Sequence, residues 1–178
     1  MTPTVLVLMG VSGSGKTTMG TQLAHRLGWA FKEGDELHPA PNVAKMRRGE
    51  PLTDADRAPW LAAVAAWIDG WLRDGVRGVI TCSALKRSYR RYLTDGRPGV
   101  AFVFLKANET VLAGRLAKRR GHFMPPSLLA SQLAALEAPT LDEPVIQLDT
   151  DQPVAAQVDA VVESITTGGR QFSSRRCR

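Results

Sequence analysis

The stretch Gly10-Val11-Ser12-Gly13-Ser14-Gly15-Lys16-Thr17 decides the fold class of this 178-residue chain. It satisfies the pattern G-x-x-x-x-G-K-[ST], follows the apolar run TVLVLM at 4–9 and precedes the amphipathic segment TTMGTQLAHRL. Between a strand and a helix, such glycines let backbone N–H groups point at phosphate oxygens, and the N-terminus of the helix adds its positive end. The pattern predicts a nucleoside triphosphate site in which Lys16 reaches the β- and γ-phosphates and Thr17 is a ligand of Mg²⁺. The residues expected to contact the nucleotide are Gly10, Ser12, Gly13, Ser14, Gly15, Lys16, Thr17 and Thr18.

Four further apolar runs alternate with helical patterns along the chain. They are AFKEG at 30–34, RGVITC at 77–82, VAFVFL at 100–105 and PVIQLD at 144–149. Runs that are apolar on both faces are typical of a parallel sheet covered by crossover helices. Together with the run at 4–9, they predict an α/β fold built on a parallel sheet.

A long helix is predicted to begin after Thr53, which forms the capping pattern T-x-x-D with Asp56. Apolar residues follow at helical spacing, and we interpret them, including the three tryptophans, as a buried face rather than as a platform for a cofactor. They are Trp60, Leu61, Val64, Trp67, Ile68, Trp71 and Leu72.

The composition, 44% hydrophobic and 22% charged residues, is that of an ordinary globular protein, and the length fits one domain. The longest apolar run is far shorter than the roughly 20 residues of a membrane span, and it lacks the flanks of a secretory signal. Two cysteines make neither a disulfide framework nor a metal site. We therefore expect a cytoplasmic protein without a membrane partner.

The net charge of +6 is concentrated locally rather than along a stripe. The final twelve residues, 167–178, contain four arginines and no acid, and their Gly- and Ser-rich composition predicts a disordered tail. The remaining excess of positive charge lies in two clusters, at 86–91 and at 118–120. We therefore expect no nucleic-acid partner.

The sequence distinguishes a phosphoryl-transfer enzyme from a nucleotide switch, because the guanine-reading pattern N-K-x-D and the switch pattern D-x-x-G are both absent. Arg115 and Arg119, four residues apart, share one helix face and can neutralise charge on a transferring phosphoryl group. A glycine and two prolines bracket the following segment, 121–126, which is typical of a hinged lid.

Four longer stretches resemble the gluconokinase family: MGVSGSGKTT at 9–18, EGDELHPAPNVAKMRRGEPLTDADRAPWL at 33–61, CSALKRSYR at 82–90 and RLAKRRGHFMPPSLLASQLAALEAP at 115–139. The resemblance spans about residues 4–166. It implies a three-layer P-loop NTPase fold with a five-stranded parallel sheet, of the nucleoside-monophosphate-kinase type. It also implies one domain over 1–166, with a substrate-side segment at about 36–60 and a short lid at about 118–126, and a homodimer.

The activity that the resemblance implies is ATP-dependent phosphorylation of D-gluconate to 6-phospho-D-gluconate. Asp35 follows the second strand, and ligands of open parallel sheets bind beyond the carboxyl ends of the strands. It is therefore our candidate for the base that accepts the proton of the gluconate hydroxyl. Lys16 and Arg119 complete the expected catalytic set. Glu33 points to the same side as Asp35, and either carboxylate could contact Mg²⁺ through water, although Glu33 could equally be a surface acid.

The residues expected to bind gluconate lie in the same stretches. His38 and Asn42 are expected to hydrogen-bond the polyol, while Arg57, Lys86 and Arg90 offer cations for the carboxylate and the transferred phosphate. The motifs also imply substrate contacts for Lys45, Ser83 and His122, and nucleotide contacts for Arg115 and Arg119.

A competing interpretation keeps the same loop but changes the acceptor to shikimate, a nucleotide or adenylylsulfate. Such kinases are not expected to contain H-P-x-x-N-x-x-K-M followed by C-S-A-L-K. A nucleotide switch without enzymatic activity would carry the guanine-reading patterns. A nucleic-acid binder that relies on the tail would lose affinity steeply as the salt concentration rises.

Overall fold

The computed structural model of the protein describes residues 2–108, 111, 112, 114 and 128–167. Its centre is a five-stranded sheet in the order β2-β3-β1-β4-β5, and every neighbouring pair of strands is parallel. The strands are β1 (Val5–Met9), β2 (Ala30–Lys32), β3 (Gly78–Thr81), β4 (Val100–Lys106) and β5 (Val145–Asp149). The five apolar runs thus form the five strands, and the predicted parallel α/β sheet is confirmed.

Helices cover both faces of this sheet, which gives the predicted three layers. Helices α3 and α4 pack on one face, and α1 and α6 pack on the other. The helices are α1 (Lys16–Leu27), α2 (Ala40–Arg47), α3 (Asp54–Arg73), α4 (Arg87–Thr94), α5 (Leu129–Ala135) and α6 (Val154–Thr166), and a 3₁₀ helix covers Gly34–Leu37.

The central strand β1 shows how the sequence builds both layers at once. Successive side chains of a strand point to opposite faces, so an unbroken apolar run can fill two cores. Val5 and Val7 pack in the core beneath α3, whereas Leu6 and Leu8 pack in the core beneath α1. All five β1 residues are fully buried, so the loop that follows β1 starts from a fixed point.

Helix α3 begins as predicted, with a capping box between Thr53 and Asp56. Trp60 is buried and Trp71 is partly buried in the core beneath the helix. Trp67 differs from the prediction, because 40% of its surface is exposed. The reason is its position at the edge of the sheet, where its ring covers the side chain of Lys32 on the edge strand β2.

The carboxyl ends of β2, β3 and β1 lie side by side, so the segments that leave these strands meet at one edge of the sheet. The segments predicted as a lid at 118–126 and as a tail lie outside the described residues, apart from Thr167 at the end of α6. Across the described part of the chain, no helix combines the length and apolar character needed to cross a membrane.

Candidate active site

The loop between β1 and α1 has the backbone conformation that its glycines predict. Gly10, Gly13 and Gly15 adopt φ angles of 139°, 83° and 100°, which residues other than glycine rarely adopt. The Nζ of Lys16, the first residue of α1, donates hydrogen bonds of 3.0 Å to the carbonyl oxygens of both Gly10 and Val11. The ammonium group therefore lies across the mouth of the loop.

Glu33, directly after β2, joins this loop to the neighbouring strand. Its Oε2 accepts a hydrogen bond of 2.6 Å from the hydroxyl of Thr17, and its Oε1 accepts one from the hydroxyl of Thr81 at the end of β3. The backbone N–H of Asp35 lies 3.5 Å from Oε1. Glu33 thus contacts the threonine predicted to ligate Mg²⁺, and a hydroxyl beside a carboxylate supplies the oxygen ligands that Mg²⁺ prefers.

The turn that carries Asp35 is held between β3 and α3. The N–H of Gly34 donates to the Thr81 hydroxyl at 2.9 Å, and its carbonyl accepts a hydrogen bond of 2.8 Å from the indole N–H of Trp60. A Cβ atom on Gly34 would lie 1.8 Å from the carbonyl oxygen of Thr81. Only glycine fits this close approach of two backbones.

His38 follows the turn and stacks on Trp60, with ring centroids 4.3 Å apart and an angle of 10° between the planes. Burial lowers the pKa of the imidazole to about 4, and the nearby charge of Arg57 contributes. The ring is therefore neutral at physiological pH.

A cleft of about 600 Å³, including its open mouth, lies between the loop and these elements. It brings together most of the phosphate-loop residues and four of the other predicted residues, and it adds four that were not predicted. The predicted residues are Asp35, His38, Arg57 and Ser83, and the additional ones are Met46, Trp60, Leu85 and Gln132.

A shallower depression continues from the other side of the loop. It is lined by Gly13–Gly15 and by Thr18, together with Val154 and Gln157 at the start of α6. The predicted contact residue Thr18 thus lies in this depression and not in the main cleft.

Asn42 and Lys45, predicted to bind substrate, lie on α2 and have partners on α3. Asn42 is buried, and its amide donates to the carbonyl oxygen of Asp56 at 2.7 Å. The Nζ of Lys45 lies 2.7 Å from Oδ2 of Asp56. Both contacts fasten α2 to the first turn of α3, and neither residue is among those that line the described cleft.

Lys86 is also paired, since its Nζ donates to both carboxylate oxygens of Asp54 at 2.8 Å. Asp54, at the start of α3, also accepts a hydrogen bond from the hydroxyl of Tyr89. These contacts join the substrate-side segment to the loop after β3.

Arg90, predicted to bind substrate, is buried beside the loop after β3 and is not among the residues that line the described cleft. Its side chain is 2% exposed and forms a bidentate pair with Glu143, with distances of 2.6 and 3.0 Å. The remaining terminal nitrogen donates to the carbonyl oxygens of Ala84, Leu85 and Glu137. With these bonds made inside the protein, the guanidinium holds the loop after β3 in place and does not face the cleft.

Gln132 on α5 is a cleft residue that local sequence patterns do not identify. It is buried, and its Oε1 accepts a hydrogen bond of 2.6 Å from the backbone N–H of Ser12. The contact joins residues 120 positions apart. The sequence feature that could have pointed to Gln132 is its position within the family-like stretch at 115–139. Arg115, Arg119 and His122 lie outside the described residues.

Comparisons with known proteins agree with this geometry. The sequence profile of a family described as an AAA domain matches residues 5–139. A gluconokinase of Gluconobacter oxydans (strain 621H) is 53% identical over 163 residues, which cover 92% of this chain and 89% of that protein. The unliganded structure of a sugar kinase from Janibacter sp. HTCC2649 matches with a TM-score of 0.84 and 47% identity, covering 96% of this chain and 98% of that one.

A second solved structure, a gluconokinase from Sinorhizobium meliloti 1021, matches with a TM-score of 0.80 and 47% identity and covers 93% of each chain. Identity at this level over nearly the whole length extends well beyond the phosphate-binding loop. The chain therefore belongs to the gluconokinase family of P-loop kinases.

Proposed function

We propose that this protein transfers the γ-phosphoryl group of ATP to D-gluconate and releases 6-phospho-D-gluconate and ADP. The observation that carries the proposal is that one cleft is lined by the phosphate-binding loop, a carboxylate and an arginine. Sequence similarity to gluconokinases over most of the chain supports gluconate as the acceptor. An acceptor such as shikimate, a nucleotide or adenylylsulfate has no comparable support.

The phosphate-binding loop is the proposed site of the triphosphate. Its backbone N–H groups and the N-terminus of α1 attract the phosphate oxygens, and Lys16 supplies a positive charge. The depression beside Thr18 is the proposed site of the nucleoside. Arg115 and Arg119 remain candidates for neutralising the transferring group, on the resemblance alone.

Thr17 and Glu33 are the residues that would hold Mg²⁺. The metal would neutralise the charge of the phosphate oxygens. Because the carboxylate of Glu33 already contacts the Thr17 hydroxyl, we assign Glu33 to the outer coordination shell, where it orients Thr17.

Asp35 is the proposed base. As the gluconate oxygen forms its bond to phosphorus, the bond from phosphorus to the leaving ADP oxygen breaks, and the hydroxyl proton passes to the carboxylate of Asp35. The fixed turn around Gly34 limits the positions that this carboxylate can occupy. Such pre-organisation lowers the cost of orienting the two reactants.

Arg57, Ser83 and His38 are the proposed contacts for gluconate, since all three line the cleft with Asp35. Arg57 carries the charge that the gluconate carboxylate requires. His122 is proposed on the resemblance alone. Asn42, Lys45, Lys86 and Arg90 act indirectly, by holding the elements that form the cleft.

On the same resemblance, we propose that residues 1–166 form one kinase domain that acts in the cytoplasm as a homodimer, without a nucleic-acid or membrane partner. Size-exclusion chromatography with light scattering would measure the oligomeric state. A monomer across the micromolar range would contradict the dimer.

One coupled assay tests the proposed function. The release of ADP is measured with gluconate, other aldonates, shikimate, adenylylsulfate and nucleoside monophosphates, with the variant Lys16→Met as the control for contaminating kinases. We expect turnover with gluconate and at least ~10²-fold less in the variant, because a charge at the transferring phosphate is lost. Activity with another acceptor and none with gluconate would overturn the proposal.

A further inference from the structure

Trp60 lies where the core beneath α3 meets the cleft. It is 1% exposed and belongs to the core that contains Val7 and Ile68. The same side chain also lines the cleft, with its indole N–H on the carbonyl oxygen of Gly34 and its ring against His38. One rigid group thus contacts both segments that flank Asp35.

The contact with Gly34 restricts the turn that carries the proposed base. Gly34 is bonded on one side to Thr81 and on the other to Trp60, and the backbone of β3 leaves no room for movement towards it. Asp35 is the next residue, and its carbonyl oxygen accepts from the N–H of His38 at 3.3 Å. Removing the indole N–H would leave a buried carbonyl without this donor and would loosen the turn.

The burial of Nδ1 in the ring stacked on Trp60 decides which nitrogen of His38 can meet a ligand. Nδ1 is buried and has no hydrogen-bond partner among the described residues. Since His38 lines the cleft, the ring meets the cleft with its other edge, which carries Nε2. In a neutral imidazole one nitrogen is protonated, and a buried N–H without an acceptor is rarer in proteins than a buried acceptor without a donor. This favours a bare Nδ1 and a protonated Nε2.

We propose that Trp60 is a positioning residue that fixes both the turn at Gly34 and the ring of His38, and that His38 donates a hydrogen bond from Nε2 to an oxygen of the sugar acid. This inference rests on the proposed function, because it names a contact to the same acceptor. It gives the cleft a neutral donor beside the positive charge of Arg57, so hydroxyl and carboxylate oxygens of the acceptor have different partners.

A series at His38 tests the donor. His38→Phe keeps an aromatic ring against Trp60 without nitrogens, His38→Gln places an amide N–H near the position of Nε2, and His38→Asn places its amide near that of Nδ1. We expect Phe and Asn to raise the KM for gluconate about 10-fold with little change in the KM for ATP, and Gln to restore most of the affinity. An unchanged KM in His38→Phe, or rescue by Asn and not by Gln, would overturn the assignment of Nε2.

The tautomer can be measured without substrate, by ¹⁵N NMR of the imidazole side chains. The chain has three histidines, and the signals of His38 are identified by their loss in His38→Gln. Protonation at Nε2 alone is expected at pH 7, whereas protonation at Nδ1 would overturn the inference. If gluconate proves inert with the wild-type protein, the proposed function fails, and this measurement still decides the state of the ring.

Trp60→Phe tests the positioning role, with Trp71→Phe as the matched control on the same helix and in the same core. Phenylalanine keeps a ring against His38 and removes the N–H that bonds Gly34. We expect kcat to fall about 10-fold in Trp60→Phe with an unchanged KM for ATP, and Trp71→Phe to keep the wild-type kcat. Equal effects of the two variants on kcat would overturn the role.

Should Trp60→Phe fail to fold, Thr81→Val tests the same turn, because it removes the other hydrogen bond to Gly34; Glu33→Gln is its control, since the Thr81 hydroxyl also donates to Glu33. A lowered kcat with an unchanged KM for ATP is expected. A wild-type kcat in that variant would show that the turn needs no such support.

Discussion

At the scale of single residues, the segment from Glu33 to Asp35 places two neighbouring carboxylates in different surroundings. Glu33 is bonded to hydroxyls of two other elements, whereas Asp35 lines the cleft. Between them, Gly34 lies against the backbone of β3, where there is no room for a Cβ atom. The different tasks proposed for the two acids therefore rest on their surroundings, since both are carboxylates.

Asp35→Asn should keep the fold and the affinity for ATP while lowering kcat with gluconate by ~10²–10⁴-fold, because the amide keeps the shape and cannot accept the proton. Steady-state kinetics measure the effect, and nucleotide titration and circular dichroism check that ATP affinity and folding are intact. Glu33→Gln is the matched comparison and should lower kcat less than Asp35→Asn does, because we propose that Glu33 acts through Thr17. If Glu33→Gln proves the more damaging, the two roles are reversed.

Gly34→Ala should lower the free energy of unfolding by about 2 kcal/mol or more, since the new methyl group would overlap a backbone oxygen that cannot rotate away. Chemical denaturation measures this cost. Gly70→Ala is the control, because the nearest atom to its Cβ is the end of the Arg73 side chain at 3.8 Å. Within a helix, that change should stabilise the protein by about 0.5–1 kcal/mol. Equal stability of the two variants would contradict the close approach at Gly34.

At the scale of elements, helices α2, α3 and α4 hold the cleft together through ion pairs behind it. Asp56 at the start of α3 bonds both Lys45 and its own capping partner Thr53. Arg90 on α4 joins the loop after β3 to Glu143, just before β5. Three of the cations expected to bind substrate, Lys45, Lys86 and Arg90, are thus paired with carboxylates of the protein itself.

The capping carboxylate makes the stability of α3 depend on pH. Hydrogen bonds from Lys45, and then from Thr53, lower the pKa of Asp56 to about 2 from the usual 3.8. A lowered pKa in the folded state means that the contribution is complete above pH ~4 and is lost as the pH falls towards 2. The Tm difference between wild type and Asp56→Asn should therefore shrink over that interval.

The variant Lys45→Met provides the control for that measurement, because it removes the strongest donor to Asp56 and should reduce the pH dependence. A Tm difference between wild type and Asp56→Asn that stays constant down to pH 2 would contradict the ionised cap.

Arg90→Met should lower the free energy of unfolding by about 3–5 kcal/mol, because it leaves the buried carboxylate of Glu143 without its partner. The double variant Arg90→Met/Glu143→Leu removes both charges and should recover a large part of the loss. Urea denaturation of the two single variants and of the double variant measures the coupling. Additive effects of the two changes would mean that the pair contributes little.

At the scale of the whole molecule, the sequence predicted what depends on local pattern. The five strands, the capping box of α3 and the loop at 10–17 are local, because apolar periodicity and glycine spacing act over a few residues. The burial predicted for Trp67 is wrong, because helical spacing identifies the apolar face of a helix but does not show how far the sheet beneath that face extends.

Contacts between distant segments could not be predicted in the same way. The side chain of Arg90 shares the inner side of α4 with Tyr89 and Leu93, and its partner Glu143 comes 53 residues later. The contact of Gln132 with Ser12 spans an even longer separation. Each of these two contacts depends on the path of the chain between the two residues, and no short sequence pattern specifies that path.

Removing residues 169–178 should leave kcat and Tm close to the wild-type values. Among the described residues, the last buried side chains are Val161 and Ile165 of α6, which ends at Thr166, and most of the removed residues are polar or basic. Differential scanning calorimetry and the ADP-release assay measure the two quantities. A large drop in either would mean that this segment contributes to the folded enzyme.

The carboxylate of Glu33 touches Thr17 from the phosphate-binding loop, Thr81 from β3 and the N–H of Asp35. With the proposed roles of Thr17 and Asp35, a single side chain is common to the donor half of the reaction and to the acceptor half. Anything that repositions Thr17 also changes the hydrogen bonds that surround Asp35, and the reverse is equally true. We expect this shared carboxylate to couple the two binding sites, and thermodynamic reciprocity requires any effect of the bound nucleotide on the affinity for the sugar acid to be matched by an equal effect of the sugar acid on the affinity for the nucleotide.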